Sequence, residues 1–409
     1  MKIPFSLPYI DESVIDEVND CLTNTGWLTS GPKVLEFENE LKKITSSKTA
    51  VCVNSWTSGA LLILRWFGVG EGDEVIIPSY TYSATALCVL NMGAKPVMVD
   101  VKDDFTIDPI KVEQAITTKT KVIIPVDIAG WPCDYNSLYD VIKSKKVLNL
   151  FNPKGENQKK LNRILLLSDA AHSIGAIYNS KPIGLVSDIT VFSFHSVKNI
   201  TCGEGGAIIL NLPLNFDNQY EYLKALSLNG QNKSAFQKNQ IGGWKYDIID
   251  QGLKVNMPDI CAAIGLSQIR IYSNNLLPER KNIFKYYNDF FANKPWAIIP
   301  KSLEGNNESS YHLYLLRIKD INENERDEII HLLSIEHIGV NVHYIPMPSL
   351  TLFKTLGYDI SHYPNTYNLY KNEITLPVYN NLKKENLKVV CASLEKAYNK
   401  VVKKSNINE

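Results

Sequence analysis

Lys198 lies between an apolar run and a glycine-rich turn, in the stretch SFHSVKNITCGEGGAII that runs from Ser193 to Ile209. A lysine just after a strand is ordinarily a solvated charge. Its amine becomes a nucleophile or proton carrier when burial and neighbours favour the neutral form. Other apolar runs end in side chains that could serve it. ILLLSDAAHSIGA carries Asp169 and His172, ITVFSFHSVK adds Ser193 and His195, and EVIIPSYTYSATA adds Ser79, Tyr80 and Tyr82. TAVCVNSWTSGA ends with Thr57 and Ser58 at a helix start. Free N–H groups and the positive end of a helix can hold a phosphate there, though an N-cap explains the serines equally well. Taken together, the lysine, the carboxylate and the phosphate cup suggest pyridoxal phosphate. That cofactor needs an amine for its Schiff base, an acid facing its pyridine nitrogen, and donors for its phosphate.

The elements that must position these groups are short apolar runs. They are TAVCVN (49–54), EVIIPS (74–79), KPVMVDV (95–101), KVIIPVD (121–127), ILLLSD (164–169), ITVFSF (189–194) and GGAIIL (205–210). Helix-like segments such as TSGALLILRWFG and SATALCVLNMG lie between many of them. Strand alternating with helix predicts an α/β fold with a mostly parallel sheet flanked by helices, and continuous apolarity predicts strands covered on both faces. Ligands of such sheets bind beyond the carboxyl ends of the strands, where the polar residues above fall. NLFNPKGENQKKLN (149–162) breaks the rhythm and reads as a surface insertion. After the long helical pattern NMPDICAAIGLSQIRIYSNNLL (256–277) the texture changes to YHLYLLRI, GVNVHYIP and ITLPVY between polar segments. The expectation is an N-terminal segment with a large cofactor-binding domain over 1–274, then a small C-terminal α+β domain over 275–409.

The chain has 409 residues with equal numbers of acidic and basic side chains and zero formal net charge. That balance argues against duplex nucleic acid or an anionic membrane as partner. No basic segment followed by an apolar one opens the chain, and no apolar run is long enough to span a bilayer, so the expected compartment is the cytoplasm. The cysteines Cys21, Cys52, Cys88, Cys133, Cys202, Cys261 and Cys391 are scattered, with no CxxC pair, as in reduced proteins. The histidines show no ligand spacing, so no metal site is expected.

Several of these motifs, in their order, resemble the DegT/DnrJ/EryC1/StrS family of sugar aminotransferases, which has the aspartate-aminotransferase-like fold. The resemblance runs nearly end to end, through TNTGWLTSGPKVLEFE, VNSWTSGALL, GDEVIIPSYTYSATA, GAKPVMVDV, SDAAHSIGA, FSFHSVKNITCGEGGAI, GLKVNMPDICAAIGLSQ and VNVHYIPM. It implies that Lys198 forms the Schiff base with pyridoxal phosphate, that Asp169 pairs with the pyridinium, and that His172 sits near the oxygen substituent of the ring. It implies further that Tyr82 stacks on the ring, and that Thr57, Ser58 and Ser193 hold the phosphate. Asn256, in KVNMPD, would reach that phosphate from a neighbouring subunit, making a homodimer with shared sites. Trp56 departs from the pattern, standing where many relatives carry glycine, and the 149–162 insertion is longer than the family leads one to expect.

The activity so implied is transfer of an amino group from an amino acid, glutamate being the family's expected donor, to a nucleotide-linked keto-deoxysugar. The product would be an amino sugar for a polysaccharide or a glycosylated metabolite. A sugar dehydratase on the same fold is the nearest alternative, but such relatives carry histidine where Lys198 stands. A non-catalytic sugar-nucleotide-binding regulator would be expected to have lost Lys198, Asp169 or Ser193. A nicotinamide enzyme would want a GxGxxG after the first strand, and none is present. His343 and Tyr344 could border the sugar or pack in a core. Trp27 and Trp131 could stack on a base or simply pack, and Arg280 reads as a solvated residue in a helix of mixed charge.

Overall fold

The apolar runs assemble into one seven-stranded sheet. Its strands are β1 Thr49–Val53, β2 Glu74–Pro78, β3 Lys95–Val99, β4 Thr120–Ile123, β5 Leu165–Asp169, β6 Ile189–Ser193 and β7 Gly206–Leu210, in the order β1-β7-β6-β5-β4-β2-β3. The structure, a computed structural model, describes residues 2–213 and 218–405. Strands β2 to β6 pair in parallel. Strand β7 runs antiparallel to both β1 and β6. The cause is the short connection 194–205 between β6 and β7, which contains no crossover helix. Every residue of β4, β5 and β6 is buried, as continuous apolar runs require when helices cover both faces.

The helix Trp56–Trp66 lies tightly on the sheet just after β1. A Cβ added at Gly59 would fall 2.8 Å from Val191, and one at Gly206 would fall 2.5 Å from the carbonyl carbon of Ser55. The first turn of this helix is thereby pressed against β6 and β7, the strands that flank Lys198. On the other side of the chain, helix Asp259–Ile271 packs on helix Pro32–Thr45 and continues through Tyr272–Leu276 into helix Leu277–Phe291.

A second core is built on the antiparallel strands β8 Ala297–Ile298, β9 Tyr314–Ile318 and β10 Glu373–Leu376, with helices Leu277–Phe291, Glu323–Ile335 and Lys384–Ser405. Ile3 joins this core and bridges to Ile338, so the start of the chain packs with its C-terminal part. A smaller cluster around Tyr80, Phe105, Val126, Leu313 and Leu369 gathers residues from both ends of the chain. Among the described residues no helix is long and apolar enough to cross a membrane.

One expectation is refined and one corrected. The 149–162 stretch lies mostly at the surface, as an insertion would, but it is anchored to the fold. It forms helix Glu156–Leu161, whose Gln158 is fully buried and donates to Phe67 O at 2.8 Å, beside Asn157 donating to Trp66 O at 2.7 Å. Those contacts cap the carbonyl end of helix Trp56–Trp66, which otherwise has unpaired acceptors. Arg280 is buried rather than solvated, donating from Nε to Tyr311 O at 3.0 Å and from Nη2 to His312 O and Val378 O at 2.8 and 3.1 Å.

Candidate active site

A cleft of about 460 Å³ opens at the carboxyl ends of β1, β2, β5 and β6, and Lys198, Asp169, His172, Ser193, Thr57 and Tyr82 all line it. Asp169 is the last residue of β5 and is buried. Its Oδ2 accepts the Thr85 hydroxyl at 2.9 Å and its Oδ1 accepts Ala171 N–H at 3.2 Å. Burial raises its pKa to about 7, although those hydrogen bonds and the Lys198 charge work in the opposite direction. Lys198 sits in the β6–β7 connection, and burial lowers its amine to about 8 while Asp169 opposes the change. The cleft therefore holds an acid short of a cation and an amine inclined to neutrality. A protonated pyridine nitrogen would supply the first, and an aldehyde would react with the second.

His172 follows Asp169 on the turn after β5. Its Nδ1 accepts Ala129 N–H at 3.1 Å, so the ring proton of the neutral imidazole is on Nε2, which lies 3.1 Å from the Tyr344 hydroxyl. Burial holds its pKa well below the ordinary histidine range. Ala129 reaches this position with a left-handed φ of 57°, and Ser310 fixes the other side by donating to His172 O at 2.5 Å.

Ser55 caps the helix Trp56–Trp66 by accepting Ser58 N–H at 3.1 Å. Helix geometry leaves the amides of Trp56 and Thr57 without intrahelical partners at the cleft. Ser58 itself turns away from the cleft, donating from its hydroxyl to Asn54 Oδ1 at 2.6 Å. Trp56 is buried, and among the described residues its indole N–H has no partner. Tyr82 is 61% exposed at the mouth, its ring 5.8 Å from that of Tyr344. Asn256 is not in this cleft. It donates to Ser30 Oγ at 2.8 Å and accepts from Lys254 Nζ at 2.7 Å, on a separate surface beside Tyr220 and Phe236.

The sequence did not point to Thr85, Ala129 or Ser310, because each acts through a fold contact with a residue far away in the chain. Tyr344 and His343 do enter the cleft, from the segment after helix Glu323–Ile335. Trp27 donates its indole N–H to Ser30 O at 3.0 Å, and Trp131 is buried against Ile128 in a different crevice. Among the described residues no group of His, Cys, Asp and Glu is arranged to hold a metal ion.

This arrangement has known relatives. The sequence profile of the DegT/DnrJ/EryC1/StrS aminotransferase family matches residues 8–152 and 157–395. The chain belongs to this family. Between its two matched blocks the profile skips 153–156, the residues that lead into the capping pair Asn157 and Gln158. The spore coat polysaccharide biosynthesis protein SpsC of Bacillus subtilis is 34% identical over 382 residues, covering 92% of each protein. The sugar aminotransferase Spr1654 from Streptococcus pneumoniae, described as putative, superimposes in its PMP form with a TM-score of 0.93 at 43% identity, covering 98% of this chain and 100% of that one. Its PLP form gives a TM-score of 0.92 at 41% identity over 98% and 100% of the two chains. Helicobacter pylori PseC, an aminotransferase involved in the biosynthesis of pseudoaminic acid, is 27% identical with a TM-score of 0.84 over 98% and 100%. The family's aminotransferases depend on pyridoxal phosphate, and the acid, amine and free helix amides of this cleft fit that cofactor.

Proposed function

We propose that the protein transfers an amino group from an amino acid, glutamate in the first instance, to a nucleotide-linked keto-deoxysugar in the cytoplasm. The observation that carries the reading is the placement of Lys198 and Asp169 in one cleft, each with its charge weakened by burial. When bound, pyridoxal phosphate supplies the electron sink that lets nitrogen pass between an amino acid and a ketone. Asp169 would hold a proton on the ring nitrogen. Lys198 would carry the cofactor at rest and, once released, take and return the proton of the donor's α-carbon. His172, whose Nε2 proton is directed to the Tyr344 hydroxyl, would stand beside the ring, and Tyr82 offers a flat face at the mouth. Thr57 and Ser193, with the free amides of the helix start, would hold the phosphate, and Ser58 would support them by bracing the turn.

The same reading makes the active unit a homodimer, with Asn256 completing the partner's phosphate site. Support comes from the stretch that leads to Asn256, where Ile241, Trp244 and Ile248 are exposed in the single chain. The unpaired, mostly buried cysteines suit a reducing compartment. Lysine at 198 favours transamination over dehydration.

The test is stepwise. Protein loaded with pyridoxal phosphate is expected to lose its visible band on adding glutamate, and to regain it on adding the correct nucleotide-linked keto-sugar, with an amino sugar appearing by mass spectrometry. Lys198→Ala should bind the cofactor without the linked band and turn over nothing. Recovery of the band with simple keto acids alone, and with no nucleotide-linked keto-sugar, would overturn the substrate class.

A further inference from the structure

Glu373 is a fully buried carboxyl that the chemistry above leaves unused. It opens β10, and Thr375 lies two residues along on the same face of the strand. Oε1 of Glu373 is 2.6 Å from the Thr375 hydroxyl, and Oε2 accepts His343 N–H at 3.1 Å. The same hydroxyl is 2.9 Å from Nδ1 of His343. The imidazole of His343 lines the cleft together with Lys198 and stacks on Phe5 at 5.3 Å. Among the described residues its Nε2 has no protein partner. An unbroken line of hydrogen bonds therefore joins a buried carboxyl to a ring nitrogen free for the cleft.

Proton counting along this line leaves two arrangements, because a hydroxyl has one proton to give. With Glu373 ionised, Thr375 donates to the carboxylate and accepts from His343, so the ring proton is on Nδ1 and Nε2 is bare. With Glu373 protonated, the carboxyl donates to Thr375 and Thr375 donates to Nδ1, so the ring proton is on Nε2. Passing from the second state to the first moves one proton from carboxyl to hydroxyl and one from hydroxyl to Nδ1, and releases one from Nε2 into the cleft. The imidazole stays neutral throughout.

We propose that Glu373 and Thr375 are positioning residues that decide which nitrogen of His343 carries its proton, so that ionisation of the buried carboxyl is felt in the cleft as loss of the Nε2 proton. His343 then donates to a hydroxyl or carbonyl oxygen of the sugar in one state and accepts from a hydroxyl in the other; that part rests on the sugar reading above. His172 holds its proton on Nε2 through the Ala129 amide, so the two cleft histidines differ in whether their donor role is fixed.

The charged and titratable groups around Glu373 are compatible with a switch near neutrality. Burial raises its pKa to about 8, while Thr375, the His343 amide and Arg326 pull the other way. Arg326, from helix Glu323–Ile335, donates to Glu373 O at 3.3 Å. The hydroxyls of Tyr80 and Tyr344 feel the carboxylate and are themselves held neutral by burial. His343 is pushed down to about 3 by burial and by Lys198, so its own charging does not interfere.

The test reads the tautomer directly. Enzyme loaded with pyridoxal phosphate, labelled with 15N-histidine and free of sugar, is followed by NMR from about pH 6 to 9.5, with His343→Asn used to assign the signals. The expected result is that the protonated and unprotonated ring-nitrogen resonances of His343 exchange positions as pH rises, with Nε2 losing its proton. In Thr375→Val and in Glu373→Gln the tautomer should no longer change. Valine keeps the shape of threonine and the strand pairing with Asn341, so that arm stands should Glu373→Gln fail to fold. A His343 tautomer that ignores pH in the wild type, or changes identically in Thr375→Val, overturns the proposal. Because no sugar is present, a wrong substrate class leaves this measurement unaffected.

Discussion

Burial weakens the charge on Lys198 and on Asp169, and each opposes the loss in the other. The sign of that coupling has a consequence that runs against intuition. Uptake of pyridoxal phosphate needs the free amine, so its rate in unloaded protein should rise through about pH 8 rather than through the ordinary lysine range. Asp169→Asn removes the charge that raises the amine, so the inflection should move lower and uptake at neutral pH should be faster. Turnover should nonetheless fall by roughly ten- to a hundredfold, the value of a lost charge-assisted hydrogen bond of about 1.5–3 kcal/mol. Stopped-flow absorbance and steady-state rates check both halves. Uptake and turnover moving in the same direction would mean that Asp169 does not face the ring nitrogen.

At the level of elements, what the sequence revealed and what it hid separate cleanly. The strands and the polar residues at their ends were legible because each motif is local: a few apolar residues, then Asp169 and His172, or Ser193 and Lys198. Arg280 was not, because its helical neighbours are charged and its partners Tyr311, His312 and Val378 arrive from far along the chain. The same holds for Gln158 and for the line from Glu373 to His343. Arg280→Met should cost about 3 kcal/mol or more in chemical unfolding, since several buried carbonyls lose their donor at about 1–3 kcal/mol each. Gly206 tests the contact between β7 and the helix start. A methyl there would meet only backbone, 2.5 Å from the Ser55 carbonyl carbon and 2.8 Å from the Trp56 nitrogen. Gly206→Ala is expected to lose about 1–3 kcal/mol of stability and to weaken cofactor binding about tenfold, measured by titration of the unloaded protein. Unchanged binding would remove that helix start from the phosphate site.

For the molecule as a whole, the placement of Asn256 outside its own cleft is the feature to test. Lys198→Ala chains mixed with Asn256→Asp chains, the latter setting a negative charge against the phosphate, should regain activity above either parent once subunits exchange. In a mixed pair one site collects both defects and the other collects neither. No recovery despite proven exchange would refute sharing and leave the lysine chemistry intact. The seat of β7 between β1 and β6 also sets an order in time. Thr49 leaves the ribosome long before Leu210, the residue opposite it in the ladder. Until then β1 has no partner in the sheet, a state that favours wrong partners and slow folding. A chain released before Leu210 lacks the strand whose hydrogen bonds tie β1, and so the start of helix Trp56–Trp66, to β6 and the Lys198 connection. If helix Trp56–Trp66 holds the phosphate as proposed, the cofactor meets a complete site only in chains made beyond the last strand of the sheet.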